Sequence, residues 1–149
     1  MKRTDRETCP ELPRNVSICS DYSYTDKLSL IPRSENAVWN IDINTVSDRM
    51  QTIEGFAFCE GNDHFRYKKK LILKDARDRA FVFDTIPIKR LDVAAAFPEI
   101  HYLFSTGFRC IILRELLEKN NGYEVYIRLY DPTDPSDIRD IPTGQKVMS

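Results

Sequence analysis

The chain has 149 residues, of which 42% are hydrophobic and 30% charged, and its formal net charge is −1. This length and composition are typical of a single globular domain and exclude a disordered chain. The near-neutral charge excludes the strong positive field of nucleic-acid-binding proteins, so we expect no nucleic-acid partner. No apolar run approaches the roughly 18 residues of a membrane helix, and segment 1–10 lacks the apolar core of a signal peptide. We therefore predict a cytoplasmic protein without a membrane span.

Residues 1–36 differ from the rest of the chain. They contain three of the eight prolines and equal numbers of positive and negative charges, and they have no sustained hydrophobic periodicity. We interpret them as an irregular N-terminal arm or linker, with one short strand near residues 16–19 or 27–31. The folded domain is predicted to cover residues 37–149.

From residue 37 onward, apolar and polar residues alternate in segments of strand length. This alternation predicts strands at residues 39–44, 50–59, 67–74, 79–86, 106–113, 123–130 and 145–148. Residues 92–96 predict a short helix with Asp92 as its cap, and residues 114–120 predict a helical turn ended by a left-handed residue at Asn121 or Gly122. The stretch 131–140, with two Asp-Pro steps, is typical of turns. About seven strands with one or two short helical turns predict an all-β, antiparallel sandwich.

Several short motifs recur in an order that resembles a known family. They are I-x-G-aromatic-A-F at 53–58, K-L-x-L-K at 70–74, F-x-F-x-T at 81–85, K-R-x-D-V at 89–93, and the pairs Gly107-Phe108 and Gly122-Tyr123. This order resembles the immunoglobulin-like accessory domains of bacterial enzymes that synthesise cell-surface polysaccharides and teichoic-acid-type polymers, including glycosyltransferases and glycerophosphotransferases. The chain departs from the family at Phe56, where Trp is frequent.

The resemblance covers residues 37–149, and it implies an immunoglobulin-like sandwich with a non-catalytic accessory role. It implies one of two kinds of partner: a glycan or phosphate-containing polymer, or a glycosyltransferase-type catalytic domain. The alternative is a protein–protein interaction or structural domain that binds no sugar.

The residues themselves provide no recognisable catalytic set. The two histidines, His64 and His101, lie in separate turn regions, and neither a Gly-x-Ser-x-Gly elbow nor a phosphate-binding glycine loop occurs. A thiolate at Cys59 or Cys110 paired with a histidine is the least favoured alternative, because thiols in strands are usually buried and inert. A disulfide between these cysteines across the sandwich is a further, disfavoured alternative. We predict a chain that is not an enzyme and that holds no cofactor or metal.

Aromatic residues on predicted strands provide the candidate sugar contacts, since sugars bind by stacking their C–H faces on exposed rings. Tyr126 and Tyr130 lie on the polar side of the strand 123–130, beside Arg128. The other candidates are Tyr67, His64 and Trp39. For each of them, packing within the sheet is the competing interpretation.

Basic residues form a second candidate surface. Arg66, Lys68 and Lys70 line one strand and suit a polyanion, whereas protection of a sheet edge by lysines is the competing interpretation. In the same strand, Tyr67, Lys69, Leu71 and Leu73 fall on the opposite face. Arg90 and Asp92 are interpreted as structural, with Asp92 capping the short helix and Arg90 tying it to the sheet.

Overall fold

The computed structural model describes residues 19–60, 67–100 and 103–149. Its strands are β1 (Tyr22–Thr25), β2 (Ala37–Ser47), β3 (Met50–Cys59), β4 (Lys68–Lys74), β5 (Ala80–Asp84), β6 (Ile86–Ile88), β7 (Gly107–Leu113), β8 (Gly122–Asp131) and β9 (Asp134–Met148). A short helix, α1 (Leu91–Ala96), and two single 3₁₀ turns (Leu103–Ser105 and Arg114–Leu116) complete the secondary structure. In these parts of the chain, no helix has the length and apolar character needed to cross a membrane.

The strands form two antiparallel sheets that face each other. One sheet has the order β1-β5-β4-β8-β9 and the other has the order β2-β3-β7-β6. The inward-facing side chains of both sheets merge into a single apolar cluster, to which β8 contributes Tyr123, Val125, Ile127 and Leu129. The predicted all-β antiparallel sandwich is confirmed, with nine strands in the described residues instead of about seven.

The N-terminal part of the sandwich lies outside the domain predicted from the sequence. Tyr22–Thr25 pairs with β5 as an edge strand. The N–H of Ser20 donates to the carbonyl of Ile111 in the other sheet, and the Ser20 hydroxyl accepts from the N–H of Ile111. The predicted boundary at residue 37 therefore leaves out one strand. Residues 27–31 contain no strand, and most of the alternative segment 16–19 is outside the described residues.

Most of the stretch 131–140, which was predicted to form turns, belongs to a strand. After a tight turn at 132–133, β9 runs for 15 residues and pairs with β8 to the end of the sheet. β9 contains Pro135 and Pro142, which have no N–H to donate to a neighbouring strand. A central strand needs such donors toward both of its neighbours. Because β9 is an edge strand, these prolines remove no ladder bond that the sheet requires.

Local details at two turns correct the sequence predictions. The left-handed residue before β8 is Asn120, with φ of 59°, and not Asn121 or Gly122. The short helix α1 begins after Arg90 with no side-chain cap, so the capping role predicted for Asp92 is wrong. α1 instead covers the outer face of the four-stranded sheet, where Val93 and Leu103 pack on Phe58 in a small second core.

The two cysteines considered for a disulfide lie on one sheet. Cys59 ends β3, and Cys110 lies opposite Ile53 in the neighbouring strand β7. They therefore do not face each other across the sandwich. No disulfide joins any of the described cysteines, which are Cys19, Cys59 and Cys110.

Candidate functional site

An open groove with an aromatic floor lies beside the edge strand β1. Tyr22 and Tyr24 form one side, Phe81 forms the centre and Tyr123 forms the far side. The groove has a volume of about 390 Å³, within the roughly 300–1,000 Å³ of small-molecule sites. Tyr22 and Tyr24 are 38% and 48% exposed, so a ligand can reach both residues.

The aromatic rings of the groove touch each other in sequence. The ring centroids of Tyr24 and Phe81 are 5.0 Å apart, and those of Tyr22 and Phe81 are 5.7 Å apart. Phe81 then contacts Tyr123 at 6.2 Å. These tilted and edge-on contacts are in the range that aromatic pairs prefer, and they hold the exposed tyrosines against a buried ring.

The register of β1 explains why these rings share one face. Tyr22 lies opposite Phe83 and Tyr24 lies opposite Phe81, and both phenylalanines point toward the core. Since side chains alternate across a strand, Tyr22 and Tyr24 point the same way. They lie at the edge of the sheet, where the facing sheet no longer covers them, so they extend the core as an exposed platform.

Charged side chains form the rim of the groove. Arg79 donates from Nε to Asp75 at 2.8 Å and from its terminal nitrogens to Glu118 at 3.0 and 3.4 Å. Asp75 is buried and also accepts from the backbone N–H groups of Arg77 and Arg79 and from the Asn121 amide. The rim is therefore rigid, and it presents both a cation and the exposed carboxylate of Glu118 beside the rings.

The ionisation of the groove is set by these contacts. Burial raises the pKa of Asp75, but the hydrogen bonds from Asn121, Arg77 and Arg79 outweigh it and hold that pKa below its usual value. Partial desolvation and the neighbouring Asp26 raise the pKa of Tyr24. At neutral pH the groove therefore has an ionised carboxylate on its rim and a neutral phenol on its floor.

The residues of this groove are not among the sequence-predicted site residues. Tyr22 and Tyr24 fall in the segment interpreted as an arm, and Phe81 and Tyr123 fall in predicted strands with no site role. The alternation Tyr22-Ser23-Tyr24 was the one local signal for a strand there, but four residues are too short for a reliable pattern.

The aromatic candidates on β8 lie on the outer face of the five-stranded sheet. The Tyr126 hydroxyl donates to Glu124 at 3.1 Å, and the Lys70 ammonium lies 5.6 Å from the centroid of the Tyr130 ring. Arg128 donates to both oxygens of the buried Asp140, at 2.6 and 2.9 Å. The guanidinium of Arg128 is therefore engaged within the fold.

The remaining aromatic candidates are dispersed. Tyr67 is buried and donates to Asp137 at 2.7 Å, and Trp39 is half-buried against the core. His64 and Arg66 are outside the described residues. The structure thus does not bring the predicted aromatic candidates together into one groove.

The basic and motif residues have identifiable contacts. Lys70 pairs with Asp84 at 3.4 Å on the outer face, and Lys68 is exposed. Arg90 pairs with Asp92 at 2.7 Å, reaches Asp42 on β2 and lies 5.3 Å from the Phe56 ring. Arg90 therefore ties the start of α1 to the sheet as predicted, with Asp92 as its counterion.

The Cys110 thiol on β7 is not an activated nucleophile. Burial raises the pKa of the Cys110 thiol to about 12, so this thiol stays protonated and is a poor nucleophile at neutral pH.

Among residues 19–60, 67–100 and 103–149, no cluster of three His, Cys, Asp or Glu side chains is arranged to hold a metal ion. Asp131 and Asp134 instead bind the backbone and hydroxyls of Thr133 and Ser136 in their own turns.

Comparisons with protein-family models, with curated proteins and with solved structures find no match to this chain.

Proposed function

We propose that the protein is a non-catalytic carbohydrate-binding module, and that the groove formed by Tyr22, Tyr24, Phe81 and Tyr123 is its sugar site. The observation that carries the proposal is the exposed platform of Tyr22 and Tyr24 beside a charged rim. The proposal extends to the accessory role that the sequence resemblance implies, in the assembly of a surface polysaccharide or teichoic-acid-type polymer.

Sugar rings suit this groove for a physical reason. The face of an aromatic ring carries partial negative charge, and the C–H groups on one face of a pyranose carry partial positive charge, so the two surfaces stack. Tyr22 and Tyr24 are held at fixed angles by Phe81, which reduces the entropy lost when a ligand orders them.

The rim would provide the polar half of sugar recognition. Glu118 is exposed and accepts hydrogen bonds, and Arg79 is held in place by Asp75 and Glu118 while it lines the groove. Carboxylate and guanidinium groups beside a ring allow hydroxyl groups to be bound in a defined orientation.

The strand order supports the immunoglobulin-like part of the proposal. In immunoglobulin domains one sheet has the order A-B-E-D and the other contains C-F-G. The order β2-β3-β7-β6 corresponds to the first, and β4-β8-β9 corresponds to the second, with β5 and β1 added beside β4.

Tyr123 provides independent support for this topology. A tyrosine near the start of strand F, with its hydroxyl bonded to the backbone a few residues upstream, is a hallmark of immunoglobulin-like sandwiches. Tyr123 lies at the start of β8, which takes the place of strand F, and its hydroxyl accepts from the N–H of Glu118 at 3.0 Å. The sequence analysis did not find this contact, because it depends on the turn at 114–118.

A protein-docking role is favoured by one observation. β2 is an edge strand of 11 residues, and its Ile43 and Val46 are 37% and 55% exposed. An open edge of this length can accept a strand from a partner. The register shift between Ile41 and Ile43 interrupts that edge, and such bulges discourage strand addition, so we rank this role second.

The proposal is tested by probing a glycan array that includes bacterial polysaccharides and glycerophosphate polymers with the wild-type protein and two variants. We expect binding to a defined glycan that Tyr24→Ala reduces by roughly 10-fold or more, because a stacking platform is lost. Tyr126→Ala, on the outer face, is the matched control and should bind like wild type. Absence of binding to every glycan, or equal binding by Tyr24→Ala, would overturn the proposal.

A further inference from the structure

A second cavity lies at the end of the sandwich where β4 begins, and residues of both sheets line it. Its volume of about 510 Å³ exceeds the roughly 390 Å³ of the aromatic groove. Its polar lining comes from β4, the end of β5, β8 and the turn before β7. The members that matter here are Lys68, Lys69, Asp84, Thr85, Thr106 and Tyr130.

Lys69 occupies an unusual position for a lysine. It shares a strand face with Leu71 and Leu73, both fully buried in the core. It also lies opposite Leu129 of β8, which is 1% exposed. The side chain of Lys69 therefore points into the space between the sheets, and it lines the cavity.

The ammonium of Lys69 has no compensating charge within the described residues. Burial, together with repulsion from Lys68, lowers the pKa of Lys69 from 10.5 to about 8. The cavity's one described carboxylate, Asp84, pairs with Lys70 at 3.4 Å. The described lining also contains the phenols of Tyr67 and Tyr130.

The two threonine hydroxyls of the cavity are already committed as donors. Thr85 donates to the carbonyl of Lys69 at 2.9 Å, and Thr106 donates to the carbonyl of Leu103 at 2.7 Å. The charged donors in the described lining are the ammonium groups of Lys68 and Lys69. Two positive charges beside a half-buried cavity favour a negatively charged ligand.

We propose that this cavity binds a small anionic molecule through its phosphate or carboxylate group, with Lys69 as the principal contact and Lys68 as the second. The volume suits a molecule of the size of a sugar phosphate or sugar acid rather than a bare ion. The charged ammonium of Lys69 is unfavourable in a buried position. An anion that pairs with this ammonium relieves that free-energy cost, and the relief contributes to the affinity. The site shares no lining residue with the aromatic groove, so either can fail alone.

The test is calorimetric titration of the full chain at pH 7 with inorganic phosphate, glucose 6-phosphate, glucuronate and glucose. We expect saturable binding of glucose 6-phosphate or glucuronate, and weaker binding of inorganic phosphate. The compound that binds distinguishes a phosphate from a carboxylate ligand. Lys69→Met should weaken that binding by roughly 10-fold or more, because it removes a charge-assisted contact.

Two variants and one change of conditions complete the experiment. Lys69→Arg, which keeps the charge, should restore part of the affinity. Lys146→Met removes an exposed charge of β9 that does not line the cavity, and it should bind like wild type. Affinity should fall as the pH rises above 8, since Lys69 loses its proton there. The proposal is overturned if neither anion binds, if glucose binds equally well, or if Lys69→Met binds like wild type.

Discussion

The hydroxyl of Tyr123 accepts a hydrogen bond of 3.0 Å from the backbone N–H of Glu118, five residues earlier in the chain. This contact fixes the turn that leads from β7 to β8. It also holds Glu118 where its carboxylate meets Arg79 on the rim of the aromatic groove. One side chain thus contributes to the core, to the turn and to the floor of the proposed sugar site.

Removing this hydroxyl should destabilise the protein. In Tyr123→Phe the N–H of Glu118 loses its acceptor, which typically costs about 1–2 kcal/mol in the free energy of unfolding. Urea unfolding monitored by circular dichroism measures the change. Tyr126→Phe is the control, because its hydroxyl bonds to Glu124 at the surface. Equal midpoints for the two variants would show that the Tyr123 contact does not stabilise the turn.

The ion pair between Arg128 and Asp140 should make a large contribution to the stability of the fold. Asp140 is fully buried, and both of its carboxylate oxygens accept hydrogen bonds from Arg128. The Asp140 carboxylate also accepts from the N–H of Ile31 at 2.8 Å. Asp140→Ala leaves the Arg128 charge without its partner, and we expect a loss of about 3–5 kcal/mol in the free energy of unfolding.

The surface pair of Arg33 and Glu35 provides the control for that variant. Glu35→Ala removes a pair in which both side chains are largely exposed, so we expect little change in the free energy of unfolding. Chemical denaturation of both variants makes the comparison. If Asp140→Ala costs no more than Glu35→Ala, the buried pair does not have the role assigned to it.

Lys69 should reduce stability in a pH-dependent way. Its pKa is about 8 in the folded protein and 10.5 when unperturbed, so the unfolded chain binds more protons between these values and the penalty is relieved as pH rises from 8 toward 10.5. Below pH 8 the penalty is complete, and Lys69→Met should be more stable than wild type by on the order of 2 kcal/mol.

That difference is measured by urea denaturation at pH 7 and at pH 10. The stability gain of Lys69→Met should be largest at pH 7 and much smaller at pH 10. Lys70→Met, whose ammonium pairs with Asp84 outside the core, should show neither effect. A gain that is the same at both pH values would mean that the charge of Lys69 is not the source of the penalty.

The regular strands could be predicted because their burial alternates over many residues. In β8, Tyr123, Val125, Ile127 and Leu129 are all nearly inaccessible, and their period of two is visible in the sequence. Only the end of β9, residues 145–148, was predicted as a strand, because the Asp134-Pro135 step in its first part has the local chemistry of a turn. Only the place of β9 at the edge of the sheet, which is a tertiary fact, makes its prolines acceptable.

The aromatic groove could not be predicted for a related reason. Tyr22 and Tyr24 meet Phe81 only after β1 pairs with β5, across more than 50 residues of chain. The inward position of Lys69 was visible in the strand pattern, whereas its cavity depends on side chains from other strands. Sequence periodicity thus assigns a residue to a face, and the packing of distant strands decides what that face becomes.

The central claim, that the groove beside β1 binds a sugar, is tested most directly by mapping amide chemical shifts in the ¹⁵N-labelled protein. The titrant is the glycan that binds best on the array. We predict that the largest shifts lie at Tyr22, Tyr24 and Arg79, with a smaller effect at Glu118. Shifts that cluster around Tyr126 and Tyr130, or no saturable shifts at all, would contradict it.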